Sequence, residues 1–177
     1  MTNLLRFSAC TSLVLALVGF IGCNDTPPPL HRLVNPFVGT GGHGHTYPGA
    51  TAPFGMVQLS PDSRLTGWDG CGGYHYSDSV IYGFSHTHLQ GTGVSDYGDI
   101  LFAPCTQFNE GATHWSDRYA SHFSHDNEEA HAGYYQVYLD DQEINVELTA
   151  TERVGIHRYR LEEPDTLSLI IDMQHRD

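Results

Sequence analysis

NPFVGTGGHGHTYPGA, residues 35–50, is the stretch that says most about this chain. It contains five glycines, two prolines and two histidines, where a core strand would carry branched apolar side chains. Glycine has no Cβ and reaches positive φ, so such a stretch lets the backbone approach a ligand or another part of the protein closely. The segment therefore predicts a loop built for close contact rather than a buried strand.

Two further segments have the same character. Residues 67–76 read GWDGCGGYHY, and residues 84–93 read FSHTHLQGTG. Both combine glycine with histidine and aromatic residues, and loops of this kind on a rigid scaffold often carry function. We therefore expect the three segments to form one surface.

The remainder of the chain is typical of an all-β protein. No stretch has sustained helical periodicity, whereas short β-branched and aromatic runs recur between turn residues. This pattern predicts an antiparallel β-sandwich rather than a parallel α/β sheet. The predicted strands are Gly55–Leu59, Val80–Ser85, Asp99–Ala103, Arg118–Ser124, Tyr134–Leu139, Ile144–Thr151, Val154–Arg160 and Leu167–Asp172.

Three acidic segments lie between or beside these strands. Residues 140–143 and 162–165 contain the Asp, Glu and Pro residues of tight connections, and each is predicted to be a hairpin loop. Residues 126–129, DNEE, are predicted to be a solvated loop.

The N-terminal residues resemble an export signal. Residues 1–22 begin with one cation, Arg6, and continue as an apolar run shorter than the roughly 20 residues of a bilayer span. Cys23 follows a small residue, as in a bacterial lipoprotein signal, so we predict that it is lipidated; plain secretion is the alternative. Residues 23–33 would form a tether and residues 34–177 the folded domain. We expect the protein to be exported and lipid-anchored in the bacterial outer membrane or periplasm.

The charge balance narrows the class of partner. The net charge is −13, every cation is arginine, and removal of Arg6 with the signal would leave −14. So few cations cannot neutralise many phosphates, which argues against nucleic acid and against electrostatic adhesion to anionic lipid. A neutral partner such as a sugar fits best, with membrane contact only through the lipid anchor.

Two cysteines remain after removal of the signal and lipidation of Cys23. Cys71 and Cys105 could form one disulfide in an oxidising compartment, or stay as two buried thiols. The sequence leaves both alternatives open.

Histidine is unusually frequent, with twelve in the chain. His43 and His45 are two residues apart, as are His86 and His88, and on a strand this spacing points both rings to one face in a geometry suited to a metal. The alternative is that these rings bond loop backbone or stack on aromatic residues, since no HExxH-like motif supplies further ligands. A histidine-rich, metal-binding lipoprotein is therefore one rival hypothesis.

Trp68 and Asp69 are the best placed of the candidate binding residues. An exposed tryptophan between glycine-rich turns can stack on a sugar ring, and the adjacent carboxylate can accept hydrogen bonds from hydroxyl groups; a structural tryptophan is the alternative. Asp96 and Asp99 could bind calcium or act as acid and base, or they could satisfy backbone amides in a tight turn.

Taken together, these motifs resemble the start of glycoside hydrolase family 92. The resemblance rests on residues 35–50, on PFGMVQLSPD at 53–62, on residues 67–76 and on GFSHTHLQGTG at 83–93. It implies a calcium-dependent, exo-acting α-mannosidase in which an N-terminal β-sandwich precedes a C-terminal (α/α)₆ barrel and the active site lies between the two. It also implies inversion, for which an acid and a base stand about 6.5–9.5 Å apart.

The resemblance places the catalytic carboxylates and most calcium ligands in the barrel. We therefore expect no catalytic residue in this chain, and we expect a fragment of a longer protein that is inactive alone. The tryptophan matching Trp68 is associated with the sugar beyond the scissile bond. The predicted substrate-binding residues are Gly41, Gly42, Trp68, Asp69, Cys71, His86 and His88.

The implied substrate is a mannose-rich glycan whose terminal α-linked mannose, foremost α-1,2-linked, is removed. The implied partner of this domain is the C-terminal barrel. A free-standing carbohydrate-binding β-sandwich without catalysis is the second rival hypothesis, since it would share Trp68 and the acidic surface.

Overall fold

A computed structural model describes residues 27–164 and 166–175. The predicted signal at residues 1–22, the lipidation site Cys23 and the first tether residues lie outside this range. Three short 3₁₀ helices occur at Leu30–Leu33, Ser116–Arg118 and His125–Asn127. The strands are β1 (Ala50–Thr51), β2 (Gln58–Asp62), β3 (Val80–Ile81), β4 (Gly83–Ser85), β5 (Leu101–Cys105), β6 (Ser121–His122), β7 (Glu128–His131), β8 (Tyr134–Leu139), β9 (Ile144–Ala150), β10 (Gly155–Leu161) and β11 (Ser168–Asp172).

The strands form an antiparallel sandwich, as the sequence predicts. One sheet has the order β1-β2-β4-β5-β11, the other has the order β10-β9-β8-β7, and β3 and β6 form a small separate pair. Apolar side chains from both sheets meet between them, including Leu59 and Phe84 from the first and Tyr135, Val146 and Leu148 from the second. No helix in the described ranges is long and apolar enough to cross a membrane.

The second half of the domain follows the local sequence pattern closely. In β8 the buried residues alternate with half-buried ones, so Tyr135, Val137 and Leu139 face the core. β9 runs antiparallel to β8, with Leu139 opposite Ile144. The connection at 140–143 is the predicted hairpin loop.

The predicted solvated loop at 126–129 is only partly correct: Asp126, Asn127 and Glu129 are exposed, but residues 128–131 form a strand. β7 pairs with β8, and the Glu128 side chain is buried. Its carboxylate accepts hydrogen bonds from the hydroxyls of Tyr74 (3.0 Å) and Tyr135 (2.7 Å). Because these bonds satisfy the carboxylate, the strand can bury an acidic residue.

Three other local predictions need correction. Residues 162–165 do not close a hairpin, because β10 pairs with β9 whereas β11 pairs with β5 in the opposite sheet. The predicted strand at 80–85 is divided, since β3 pairs with β6 and β4 pairs with β2 and β5. The predicted strand at 118–124 shrinks to β6, which follows a 3₁₀ helix.

Both cysteines are buried thiols. The Cys71 Sγ donates to the Thr92 carbonyl oxygen at 3.2 Å, and the Cys105 Sγ donates to that of Gln107 at 3.1 Å. Cys105 packs with Leu101, Ala103 and Tyr119 in a small second core on the other face of β5. Of the two alternatives, the structure has the pair of thiols.

Candidate functional site

The three glycine-rich segments meet at one surface, as predicted. The Gly70 amide donates to the Gly44 carbonyl oxygen at 3.3 Å, and the Gly91 amide donates to that of His45 at 2.7 Å. With the Cys71–Thr92 bond, these contacts tie residues 39–45, 67–72 and 89–93 into a single unit. We call this unit the loop cluster.

Glycine is required inside the loop cluster for a steric reason. A Cβ on Gly44 would lie 1.8 Å from the Gly39 carbonyl oxygen, a distance that no side chain tolerates. Gly70 has φ +70°, which L residues rarely adopt, and a Cβ there would lie 2.8 Å from His75 Cβ. The backbone segments can therefore pack directly on one another.

Trp68 stands on the loop cluster and is held from two directions. The His45 ring meets the indole edge-on, with centroids 4.3 Å apart and planes at 88°. A Cβ on Gly93 would lie 2.2 Å from Trp68 Nε1, so the indole lies against the backbone there. Trp68 nevertheless remains 57% exposed. It is thus a fixed aromatic surface that faces solvent, which is what stacking on a sugar requires.

Asp69 is oriented beside Trp68 by a histidine. The His43 Nδ1 lies 2.8 Å from Asp69 Oδ1. This hydrogen bond lowers the pKa of Asp69, so the group is an ionised acceptor at neutral pH. An ionised carboxylate next to an aromatic face can accept hydrogen bonds from sugar hydroxyls.

Gly41 and Gly42 connect the loop cluster to a neighbouring hollow. The His75 Nε2 donates to the Gly42 carbonyl oxygen at 2.9 Å and fixes this turn. Gly41 lines an open hollow of about 420 Å³ together with Val38 and Tyr76. The Tyr76 ring is stacked on His125, with centroids 4.1 Å apart.

His88, by contrast, lies in the interior. Its Nε2 is 2.8 Å from Asp62 Oδ1, and its Nδ1 is 2.7 Å from the Gln58 carbonyl oxygen. Burial alone would raise the pKa of Asp62, but the charge of His88 and hydrogen bonds from His175 and His88 hold it at about 2. Since both acceptors only accept, both nitrogens of His88 carry protons and the ring is an imidazolium. His88 therefore acts beneath the loop cluster as a structural ion pair.

His86 also points away from Trp68. Its Nε2 lies 3.1 Å from the Nε2 of His157 on β10. The two rings of His86 and His88 do not share a face, because the chain leaves β4 at Ser85 and the strand geometry that the spacing assumed ends there. The residues predicted to bind substrate thus divide into a surface group (Gly41, Gly42, Trp68 and Asp69) and a group that is buried or half-buried (Cys71, His86 and His88).

Asp96 and Asp99 are the acidic pair that the sequence offered as a calcium site. Asp96 Oδ1 accepts from the Tyr97 amide at 2.9 Å, in agreement with the tight-turn alternative. Ca²⁺ takes six to eight oxygen ligands, and within residues 27–164 and 166–175 no three His, Cys, Asp or Glu side chains are grouped to hold a metal. We therefore derive no step through calcium from this domain.

Sequence reasoning missed two supports of Trp68. For His45 the sequence left two alternatives open, a metal ligand or a ring packed on an aromatic residue, and the structure has the second, with Trp68 as a partner that the sequence did not identify. Gly93 was considered only as part of a turn. Both lie in the segments that the sequence singled out, so their composition pointed to the right region. Their contact with Trp68 depends on the meeting of three loops, which no local pattern encodes.

Known proteins resemble this chain over most of its length. Residues 33–177 match the glycosyl hydrolase family 92 N-terminal domain. A family GH92 α-mannosidase from Bacteroides thetaiotaomicron, whose structure includes a complex with mannoimidazole, is 45% identical with a TM-score of 0.76; the match covers 83% of this chain and 20% of that one.

Two further relatives are more distant. A family GH92 inverting mannosidase from B. thetaiotaomicron is 28% identical with a TM-score of 0.61, over 73% of this chain and 17% of its own. An uncharacterized secreted glycosidase from Arthroderma benhamiae is 33% identical over 133 residues, which are 72% of this chain and 17% of the relative. The chain therefore spans a fifth or less of the length of these relatives.

Proposed function

This chain belongs to glycoside hydrolase family 92, and we propose that it serves as the N-terminal domain of an exo-acting α-mannosidase. In this proposal the loop cluster forms one wall of the sugar cleft, and the C-terminal barrel forms the other. The observation that carries the proposal is the fixed, half-exposed indole of Trp68 beside the ionised carboxylate of Asp69.

The proposal gives each surface residue a role. Trp68 stacks on the apolar face of a sugar ring, and its clamping by His45 and Gly93 means that little side-chain entropy is lost on binding. Asp69, held by His43, accepts hydrogen bonds from hydroxyl groups. Gly41 and Gly42 leave the rim of the wall open, so that a glycan can approach the backbone closely.

We assign the catalytic carboxylates and the calcium ligands to parts of the enzyme outside the described residues. An inverting glycosidase uses one acid to protonate the leaving oxygen and one base to activate water, with the two about 6.5–9.5 Å apart. Support for inversion comes from the relative described as an inverting mannosidase. Cys71 and His88 then support the wall rather than touch sugar, and His86 lies apart from it, against His157.

The preferred linkage of the substrate and the cellular location of the protein are also part of this proposal. We propose terminal α-1,2-linked mannose of mannose-rich glycans as the preferred substrate, and export with a lipid on Cys23. Support for export comes from the secreted fungal relative. Rates on α-1,2-, α-1,3- and α-1,6-mannobiose test the linkage, and mass spectrometry of the mature N-terminus tests the lipid.

Trp68→Ala in the full-length protein tests whether the loop cluster contacts the substrate. We expect kcat/KM on an α-mannosyl disaccharide to fall about tenfold, which corresponds to about 1.4 kcal/mol of lost transition-state stabilisation. Trp115→Ala is the matched control, because Trp115 is also about half exposed (51%) but packs on Phe108 and Arg118, away from the loop cluster.

Two outcomes would contradict the proposal. If the full-length protein released no mannose from any α-mannoside but still bound the glycan, the free-standing binding module would be favoured. If Trp68→Ala and Trp115→Ala left kcat/KM equally unchanged, Trp68 would be a structural residue and the loop cluster would not face the substrate.

A further inference from the structure

His86 and His157 face each other between the two sheets. His86 follows β4 in the five-stranded sheet, and His157 lies on β10 in the four-stranded sheet. Their Nε2 atoms are 3.1 Å apart, and their ring centroids are 4.9 Å apart. The pair is independent of the loop cluster, and the proposed function gives it no role of its own.

The surroundings hold both rings in this orientation. A Cβ on Gly155 would lie 2.5 Å from His86 Cδ2, so a glycine at this position of β10 is what lets the His86 ring pack there. The Phe102 ring meets His86 at 75° with centroids 5.0 Å apart. On the far side of His157, the Tyr159 hydroxyl lies 2.7 Å from Nδ1.

Both rings are suited to act as neutral ligands. Burial, together with the neighbouring His86, lowers the pKa of His157 to about 4. Burial also lowers the pKa of His86, assisted by the charge of His88. When the His157 Nδ1 carries the proton and donates it to Tyr159, the lone pair of Nε2 is directed at His86. A hydrogen bond to the non-ligating nitrogen is the usual way in which a protein orients a metal-binding histidine.

We propose that His86 and His157 form a binding site for a divalent first-row transition-metal ion such as Zn²⁺, Ni²⁺ or Co²⁺. With metal–nitrogen bonds of about 2.0–2.1 Å, a separation of 3.1 Å corresponds to an angle of about 100° at the metal, within the range of tetrahedral and octahedral sites. Nitrogen ligands also distinguish this site from one for Ca²⁺, which prefers oxygen.

His86 and His157 are the two protein ligands. Within residues 27–164 and 166–175 no third His, Cys, Asp or Glu side chain is grouped with them, so water completes the coordination. A metal held in this way joins the two sheets through β10 and the residue after β4. Because it binds the folded protein only, it raises the free energy of unfolding. The expected role is therefore a structural cross-link rather than catalysis.

Titration of the full-length protein with ZnCl₂ at pH 7.5, followed by calorimetry, tests the site. We expect one equivalent to bind, and His157→Gln to weaken that binding at least about tenfold; Tyr159→Phe should weaken it by a similar factor, as loss of a supporting hydrogen bond does in other sites. His114→Gln is the control, because His114 is exposed and lies outside the pair. CaCl₂ should produce no heat that depends on His157.

A second measurement keeps the test independent of variant folding. In ¹H–¹⁵N spectra of the wild-type protein, one equivalent of Zn²⁺ should shift the Nε2 resonances of His86 and His157 and leave His114 unchanged. Zinc affinity that is the same in wild type and a folded His157→Gln variant would overturn the proposal, as would unshifted Nε2 resonances. Neither result depends on mannosidase activity, so a failure here is distinct from a failure of the proposed function.

Discussion

At the scale of single residues, the orientation of Trp68 is fixed by two neighbours that have no proposed contact with the substrate. His45 contributes a ring edge, and Gly93 contributes the absence of a side chain. A tryptophan has large apolar surface and few rotatable bonds, so two contacts are enough to fix it. The candidate site is therefore sensitive to positions that never touch a ligand.

Gly93→Ala tests this dependence. The new Cβ would lie 2.2 Å from Trp68 Nε1, so the indole must move, and we expect kcat/KM on an α-mannosyl disaccharide to fall about as far as in Trp68→Ala, roughly tenfold. Gly111→Ala is the control, since its nearest neighbour to the added Cβ is Asn109 Oδ1 at 3.5 Å. Equal kinetics for wild type and Gly93→Ala would show that Trp68 does not need this orientation.

At the scale of elements, β7 shows how a strand can form without an apolar pattern. Its sequence is EEAH, and its first residue is the buried Glu128. The hydroxyls of Tyr74 and Tyr135 donate to that carboxylate, and His125 Nδ1 lies 2.6 Å from it. Burial, reinforced by the charge of Glu128, raises the pKa of both tyrosines. The strand is thus stabilised by a shared polar cluster as well as by its ladder with β8.

Glu128→Ala should destabilise the domain strongly. The change leaves two buried tyrosine hydroxyls without their acceptor, which costs about 3 kcal/mol in free energy of unfolding. Glu129→Ala is the matched control: its side chain is 53% exposed and pairs with Arg32 at the surface, so a loss below about 1 kcal/mol is expected. Urea unfolding at pH 7 measures both, and equal losses would contradict the role assigned to Glu128.

At the scale of the whole molecule, two pairs of polar side chains connect parts of the chain that are distant in sequence. The Asp62–His88 ion pair lies beneath the loop cluster, and the His86–His157 pair joins β10 to the chain after β4. The two pairs respond to acid in separate ranges. Asp62 has a pKa of about 2 and stays ionised until strongly acidic pH, whereas His157 has a pKa of about 4.

The free energy of unfolding should therefore fall as the pH decreases from 6.5 towards 4. In this range the unfolded chain protonates His157 at its ordinary pKa of about 6.5, but the folded protein does not, so acid favours the unfolded state. We expect a loss of about 2–3 kcal/mol from this residue. Urea unfolding in EDTA between pH 7 and 4 measures it without metal.

His157→Gln provides the comparison, because glutamine does not titrate. The variant should lose less stability than the wild type between pH 6.5 and 4. An identical pH dependence for the two proteins would show that His157 titrates normally in the folded state.

The sequence by itself determined the local features of this protein, namely individual strands, a hairpin and the composition of the loops. Alternating side chains predicted β8 and its hairpin to β9, because a strand places successive residues on opposite faces. Glycine, histidine and tryptophan in three segments predicted one surface, because such loops can pack closely. The family resemblance, based on the same segments, is confirmed by the match of residues 33–177.

The tertiary structure alone decided which distant groups meet. Nothing in the sequence around His86 indicates that its partner is His157, 71 residues away on the other sheet. The two-residue spacing from His86 to His88 instead suggested that these two rings lie on one face. The acidic segment that contains Glu128 was predicted to be solvated. In the structure the hydroxyls of Tyr74 and Tyr135 donate hydrogen bonds to the Glu128 carboxylate, which allows that side chain to be buried. The physical reason is that local patterns record the burial of a segment's own faces, whereas partners are set by how the two sheets pack.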